Sequence, residues 1–192
     1  MIIIKSQREI ELMRKSGKIL ATVLEQLEKH IQPGITTEEL DKIAEDIILS
    51  NNAIPAFKGY GGFPASICTS INEQVVHGIP GLRTLKNGDI ISVDAGVLLE
   101  GYNSDAARTF PVGDVSEDAL ELIKVTEQSF FEGIAFAKEG YRLSDMSHAI
   151  QEHVEKNNFS VVRDYVGHGI GQKVHEDPQI PNFGPPGKGP RL

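Results

Sequence analysis

Two stretches of this chain read alike at a spacing of 106 residues, and that repeat constrains the fold more than any other feature. Gly34 recurs as Gly140, Leu40 as Met146, Ala44 as Ile150, Ile48 as Val154, and Asn51-Asn52 as Asn157-Asn158. A pair of helices belongs to each copy. In the first, Ser6 and Glu9 form a capping box ahead of an apolar stripe from Ile10 to Ile31, which Gln32-Pro33-Gly34 ends. Thr36 and Glu39 open a second helix whose stripe is Leu40, Ile43, Ala44, Ile47 and Ile48. In the second copy Ser116 caps a long helix with Ala119, Leu122, Ile123, Phe130, Ile134 and Ala137 on its buried face, closed by Gly140. Ser144 then caps a helix over about 145–157.

Between the copies the period changes from helical to extended. GYGGFP at 59–64 is a glycine-rich turn, an apolar strand follows around Ile67–Ile71, and a hairpin occupies 90–110. The reading is therefore α+β: one domain over 1–192, with a first half of about 1–110 and a second half from about 111. On the repeat, the hairpin's twin falls near 196–216, past the end of a 192-residue chain in NFGPPGKGPRL. The expectation is a chain truncated at the C-terminus, its second half incomplete.

Composition narrows the function classes. Hydrophobic residues make up 40% and charged residues 24%, as in ordinary globular proteins. No apolar run reaches the length of a membrane span, and MIIIKSQREI lacks the parts of a signal peptide, so a cytoplasmic protein is expected. Cys68 is the only cysteine, which excludes an internal disulfide and a thiolate cluster. A net charge of −8 gives no support to nucleic acid as the main partner.

The chemistry concentrates in three segments. In VDAGVLLEGYNSDAARTF (93–110), a two-residue turn at Glu100-Gly101 pairs Leu99 with Tyr102. That register puts Asp94 and Asp105 on one face as diagonal neighbours, roughly 7–8 Å apart at Cα. Two carboxylates so placed repel unless one is protonated or a cation lies between them. An acid–base pair, a divalent metal site and a solvated edge all remain open at this point. In YVGHGIGQKVHEDPQIPN (165–182), glycines flank His168, and His175 follows outside any helical spacing, so the two histidines have different roles. VVHGIPG (75–81) places His77 between a strand and a turn. His30, His148 and His153 fall on or at the ends of helices and read as structural. The set is rich in oxygen and imidazole without thiolate, a shell that suits Mn(II), Fe(II), Co(II) or Zn(II). Two such ions sharing a carboxylate would activate a water for hydrolysis of an amide or phosphate bond.

HGIPG (77–81), SVDAG (92–96), NSDAARTF (103–110) and GHGIG…HEDPQIPN (167–182) resemble the motifs of type I methionine aminopeptidases, in order and over essentially the whole chain. The resemblance implies the pita-bread fold, two pseudo-symmetric halves around a dinuclear metal site. It implies removal of the N-terminal methionine of nascent proteins, in reach of the ribosome, by a metal-bridging hydroxide. Asp94 would chelate one metal, Asp105 would bridge both, and His168 would bind the other. His77 and His175 would contact the scissile peptide as catalytic, non-ligand histidines. Tyr60, Phe63 and Cys68 match positions lining the methionine pocket, and Val174 stands where an aromatic often occurs, which would loosen it. Two further glutamate ligands of the family pattern have no match in this chain. The family is usually monomeric, although a sheet edge left unpaired here would favour self-association. The alternatives are a proline-specific peptidase of the same fold, usually with an extra N-terminal domain, and a non-catalytic pita-bread binding protein.

Overall fold

A computed structural model describes all residues, 1–192. It contains four α-helices and six strands: α1 (Gln7–His30), α2 (Thr37–Ser50), β1 (Ile54–Pro55), β2 (Ile67–Ile71), β3 (Ile90–Leu99), β4 (Tyr102–Pro111), α3 (Glu117–Ile134), α4 (Leu143–Lys156), β5 (Gly167–Gly169) and β6 (Glu176–Ile180). The chain divides into two compact units, one of Ile3–Ala119 with Ile170–His175, the other of Met1–Ile2, Leu120–Gly169 and Glu176–Leu192.

In the first unit β3 is the central strand. β4 runs antiparallel along one edge for its whole length, and β2 and β1 share the other edge. Alternation along β3 sorts the two faces. Ile91, Val93, Ala95 and Val97 are buried in one core with Leu20, Val23, Leu24 and Leu27 of α1 and Leu40, Ala44 and Ile48 of α2. Ser92, Asp94 and Gly96 therefore point to the face away from the helices. Burial of a side chain such as Leu27 or Ile91 stabilises the unit by about 1.5–3 kcal/mol each. The capping boxes at Ser6/Glu9 and Thr36/Glu39 both form. Tyr102, at the start of β4, donates its hydroxyl to Glu9 at 2.8 Å, so the cap of α1 is tied to the hairpin.

The hairpin register is the one the turn demands: Leu99 pairs with Tyr102, Asp94 with Ala107, and Gly96 with Asp105. Glu100 and Gly101 both take positive φ, 50° and 84°, as a two-residue turn that matches strand twist requires.

In the second unit α3 and α4 repeat the local geometry of the first pair. Asn51 and Asn157 end α2 and α4 with φ,ψ of −93°,16° and −95°,17°. Each donates its side-chain amide to the carbonyl four residues back, Ile47 or His153, at 2.8 Å. Gly34 and Gly140 turn the chain at φ 101° and 97°. Thr36 bridges to Thr84, and Arg142 bridges to Arg191.

Two expectations need correction here. α4 begins at Leu143, capped by the Asp145 carboxylate accepting the Arg142 N–H at 2.7 Å; Ser144 lies inside the first turn, and its hydroxyl accepts Lys188 N–H instead. α3 ends at Ile134, and its buried line is Val125, Ser129 and Gly133 rather than Leu122, Phe130 and Ile134, which are exposed. The reason is close approach. A Cβ on Gly133 would stand 2.7 Å from Ile150 of α4, so the contact selects small residues, not the large stripe.

Candidate metal centre

The sheet face turned away from the helices carries the candidate site. Asp94 and Asp105 meet there, half-buried, and their carboxyl groups share a hydrogen bond. Burial, then the Asp105 charge and that hydrogen bond, push the Asp94 carboxyl up to about 8. The two carboxyls, close and desolvated, therefore favour a form in which they share a proton over one in which both are charged.

The surroundings of the pair are built by small residues. Gly96 sits opposite Asp105, and a Cβ at Gly96 would stand 2.6 Å from the Phe57 ring. Only glycine lets that ring lie on the site face. Cys68 pairs with Asp94 across β2 and β3 and is buried with Phe57 and Val174, with Ala56 and Phe63 packed against them. Desolvation, with Asp94, Asp105 and Asp41 nearby, raises the Cys68 thiol to about 12, so it is a neutral packing group rather than a ligand or nucleophile. Val174 is buried, and Phe57, which the sequence motifs did not single out, supplies an aromatic ring to that cluster.

His77 is exposed, at φ 60°, in the loop after β2. The next residue fixes it. Gly78 O accepts Thr69 N–H at 2.8 Å, Gly78 N–H donates to Ser70 Oγ at 3.2 Å, and any Cβ at Gly78 would collide with the Thr69 carbonyl. His77 is thus anchored to β2 one residue from Cys68.

His175 and Val174 ride on the segment 170–175, which joins the first unit through Asn103. This buried side chain, 3% exposed, donates to Gly171 O at 3.1 Å and Gln172 O at 3.0 Å, while its backbone N–H also donates to Gly171 O at 2.8 Å. Gln172 in turn donates to the Tyr102 hydroxyl at 3.1 Å. In the sequence Asn103 stands only as a neighbour of Asp105 in NSDAARTF. Its signal was an asparagine on the carboxylate face of a buried strand, a position that demands partners. At the other end of the site Tyr60, 52% exposed, lies 3.0 Å from His175 Nδ1 through its hydroxyl.

His168 belongs to the second unit. It lies half-buried on β5 opposite Gln179, with Nδ1 2.9 Å from Gly169 O, beside a bulge between His168 and Gly169. A Cβ on Gly169 would collide with the Asp177 carbonyl oxygen, which accounts for the glycine. No group of three or more His, Cys, Asp or Glu side chains converges to metal-binding distance; what the structure brings together is the pair Asp94 and Asp105. That pair fits a divalent cation by its chemistry. Both donors are hard oxygens, and they lie close enough to share a proton whose place a cation would take.

A pita-bread α+β fold, with paired carboxylates on the sheet face away from the helices, points to a class, the metal-dependent peptidases. The chain belongs to metallopeptidase family M24, whose sequence profile matches residues 11–192. Within that family its relatives are methionine aminopeptidases. The one from Clostridium acetobutylicum is 62% identical over 193 residues, covering all of this chain and 77% of the relative; methionine aminopeptidase 1 of Bacillus subtilis is 60% identical, with the same coverage. The crystal structure of methionine aminopeptidase from Thermotoga maritima superposes with a TM-score of 0.98 at 48% identity, covering all of this chain and 78% of that one. Prolidase from Pyrococcus furiosus, at 23% identity and a TM-score of 0.79, shares the fold.

Proposed function

We propose that this protein removes the N-terminal methionine of nascent polypeptides. The observation that carries the reading is the Asp94–Asp105 pair, hydrogen-bonded to each other and half-buried on the sheet face away from the helices. The relatives and the order of motifs support it, and the proline-specific alternative is disfavoured by the much lower identity to prolidases.

Asp94, Asp105 and His168 would hold the divalent metal, two ions of Mn, Co, Fe or Zn in the family pattern. Bound metal supplies Lewis acidity and lowers the pKa of a coordinated water. The protein's own residues do the rest. Tyr60, Phe63, Cys68 and Val174 would wall the site for the unbranched methionine side chain; the apolar cluster that Cys68 and Val174 form with Phe57 and Phe63 supports this. His77 and His175 donate hydrogen bonds to the scissile carbonyl oxygen as negative charge develops there. Water adds to the carbonyl carbon, the C–N bond breaks, and the second residue leaves as the new amine. Such substrates emerge in the cytoplasm at the ribosome, and the protein acts there.

The test is release of methionine from Met-Ala-Ser by the Co(II)- or Mn(II)-loaded protein. It is run on this chain and on a chimaera extended with the part of the Bacillus subtilis relative that this chain does not cover. Methionine release by either supports the reading, and release by neither folded, metal-loaded protein refutes it. Asp94→Ala or Asp105→Ala in the active form should leave less than about a tenth of the activity, since removal of a transition-state electrostatic partner costs on the order of 10²–10³.

A further inference from the structure

Tyr60 makes a directed contact with a second candidate residue of the site, His175. Its hydroxyl lies 3.0 Å from His175 Nδ1, and the two rings face each other at 5.4 Å with a 31° tilt. Both partners are anchored independently. Tyr60 sits in a turn where Gly59, Gly61 and Gly62 all take positive φ. That turn is closed by Tyr60 N–H to Phe57 O at 2.9 Å and Gly59 N–H to Phe63 O at 2.8 Å. His175 is held through the Asn103 clamp on 170–175. With half its surface in solvent, Tyr60 has little hydrophobic reason to hold one orientation.

A phenol is a strong donor and a weak acceptor, whereas the unprotonated nitrogen of a neutral imidazole has an in-plane lone pair. The favourable arrangement is therefore O–H donation from Tyr60 to Nδ1. That places the ring proton on Nε2, where it becomes a hydrogen-bond donor. We propose that Tyr60 is the positioning residue of His175, holding it as the Nε2–H tautomer that donates to the scissile carbonyl oxygen. This rests on the reading of His175 as a substrate-contacting group.

Two measurements test it. Nitrogen-15 spectra of this chain should show His175 as the Nε2–H tautomer, with Tyr60→Phe shifting it toward Nδ1–H; an unchanged tautomer population overturns the proposal. In the methionine-releasing form, Tyr60→Phe should lower kcat about tenfold with KM little changed, the size expected for one hydrogen bond. The same substitution in a His175→Ala background should cost nothing further, because the two residues act as a unit. An equal loss in both backgrounds, or a raised KM at unchanged kcat, makes Tyr60 a pocket wall and overturns the proposal. Wild-type kcat in His175→Ala refutes the role of His175 itself. A crippled His175→Ala beside a Tyr60→Phe with wild-type kcat refutes the positioning alone.

Discussion

Asp94 shows how a site is held ready at a cost to the fold. Its carboxyl keeps a proton to about 8 in the folded protein, against an ordinary value of 3.8. Between those values the unfolded chain has released a proton that the folded protein still holds. The metal-free protein therefore loses stability as pH rises from 3.8 to about 8. In the presence of a chelator, the wild-type melting temperature should fall more between pH 5 and pH 7.5 than that of Asp94→Asn, which has no proton to lose. An equal fall in both contradicts the assignment. Glu9 behaves in the opposite sense. The Ser6 hydroxyl and backbone N–H, then Tyr102, hold its carboxyl down at about 2, so the charged form is the stable one and its contribution fades as pH drops from 4.5 toward 2.

Among the elements, the hairpin decides the geometry and loop 170–175 completes it. Asn103→Ala keeps the backbone N–H bond to Gly171 O but removes the side-chain donor to both Gly171 O and Gln172 O, at an expected cost of about 0.5–1.5 kcal/mol. Because the loop carries His175, the same variant should lower kcat more than chemical denaturation shows it lowers stability. A variant with wild-type kcat and reduced stability would leave Asn103 a purely structural clamp. The hairpin was legible in the sequence because Glu100-Gly101 permits a two-residue turn, and the parity of the register then puts Asp94 and Asp105 on one face. The Asn103 clamp was not legible, since it spans 68 and 69 residues and no periodicity encodes such a bond. Phe57 is illegible for a related reason: it lies in the loop after β1, and its place depends on the missing side chain at Gly96 of β3. The buried face of α3 differs from the one its apolar spacing predicts because spacing marks large residues, whereas packing on α4 selects Gly133.

At the scale of the whole molecule, the repeat is the organising fact. Matching caps at Asn51 and Asn157 and matching turns at Gly34 and Gly140 show the same local solution used twice. In the first unit that solution buries α1 and α2 on the sheet. In the second, α3 exposes Leu120, Leu122, Phe130, Phe131 and Ile134. Exposed large apolar side chains in such density favour association. Sedimentation of this chain should show a mass that grows with concentration, and Phe130→Glu with Ile134→Lys should abolish the growth. A concentration-independent monomer contradicts that expectation. The central claim is that Asp94 and Asp105 exchange a shared proton for a divalent cation. Calorimetric titration of Mn(II) or Co(II) near pH 7, in two buffers of different ionisation enthalpy, measures it directly. Binding that releases a proton in the wild type, and is lost with the proton release in Asp94→Asn, is the predicted result; binding without proton release, or binding unchanged in Asp94→Asn, would contradict it.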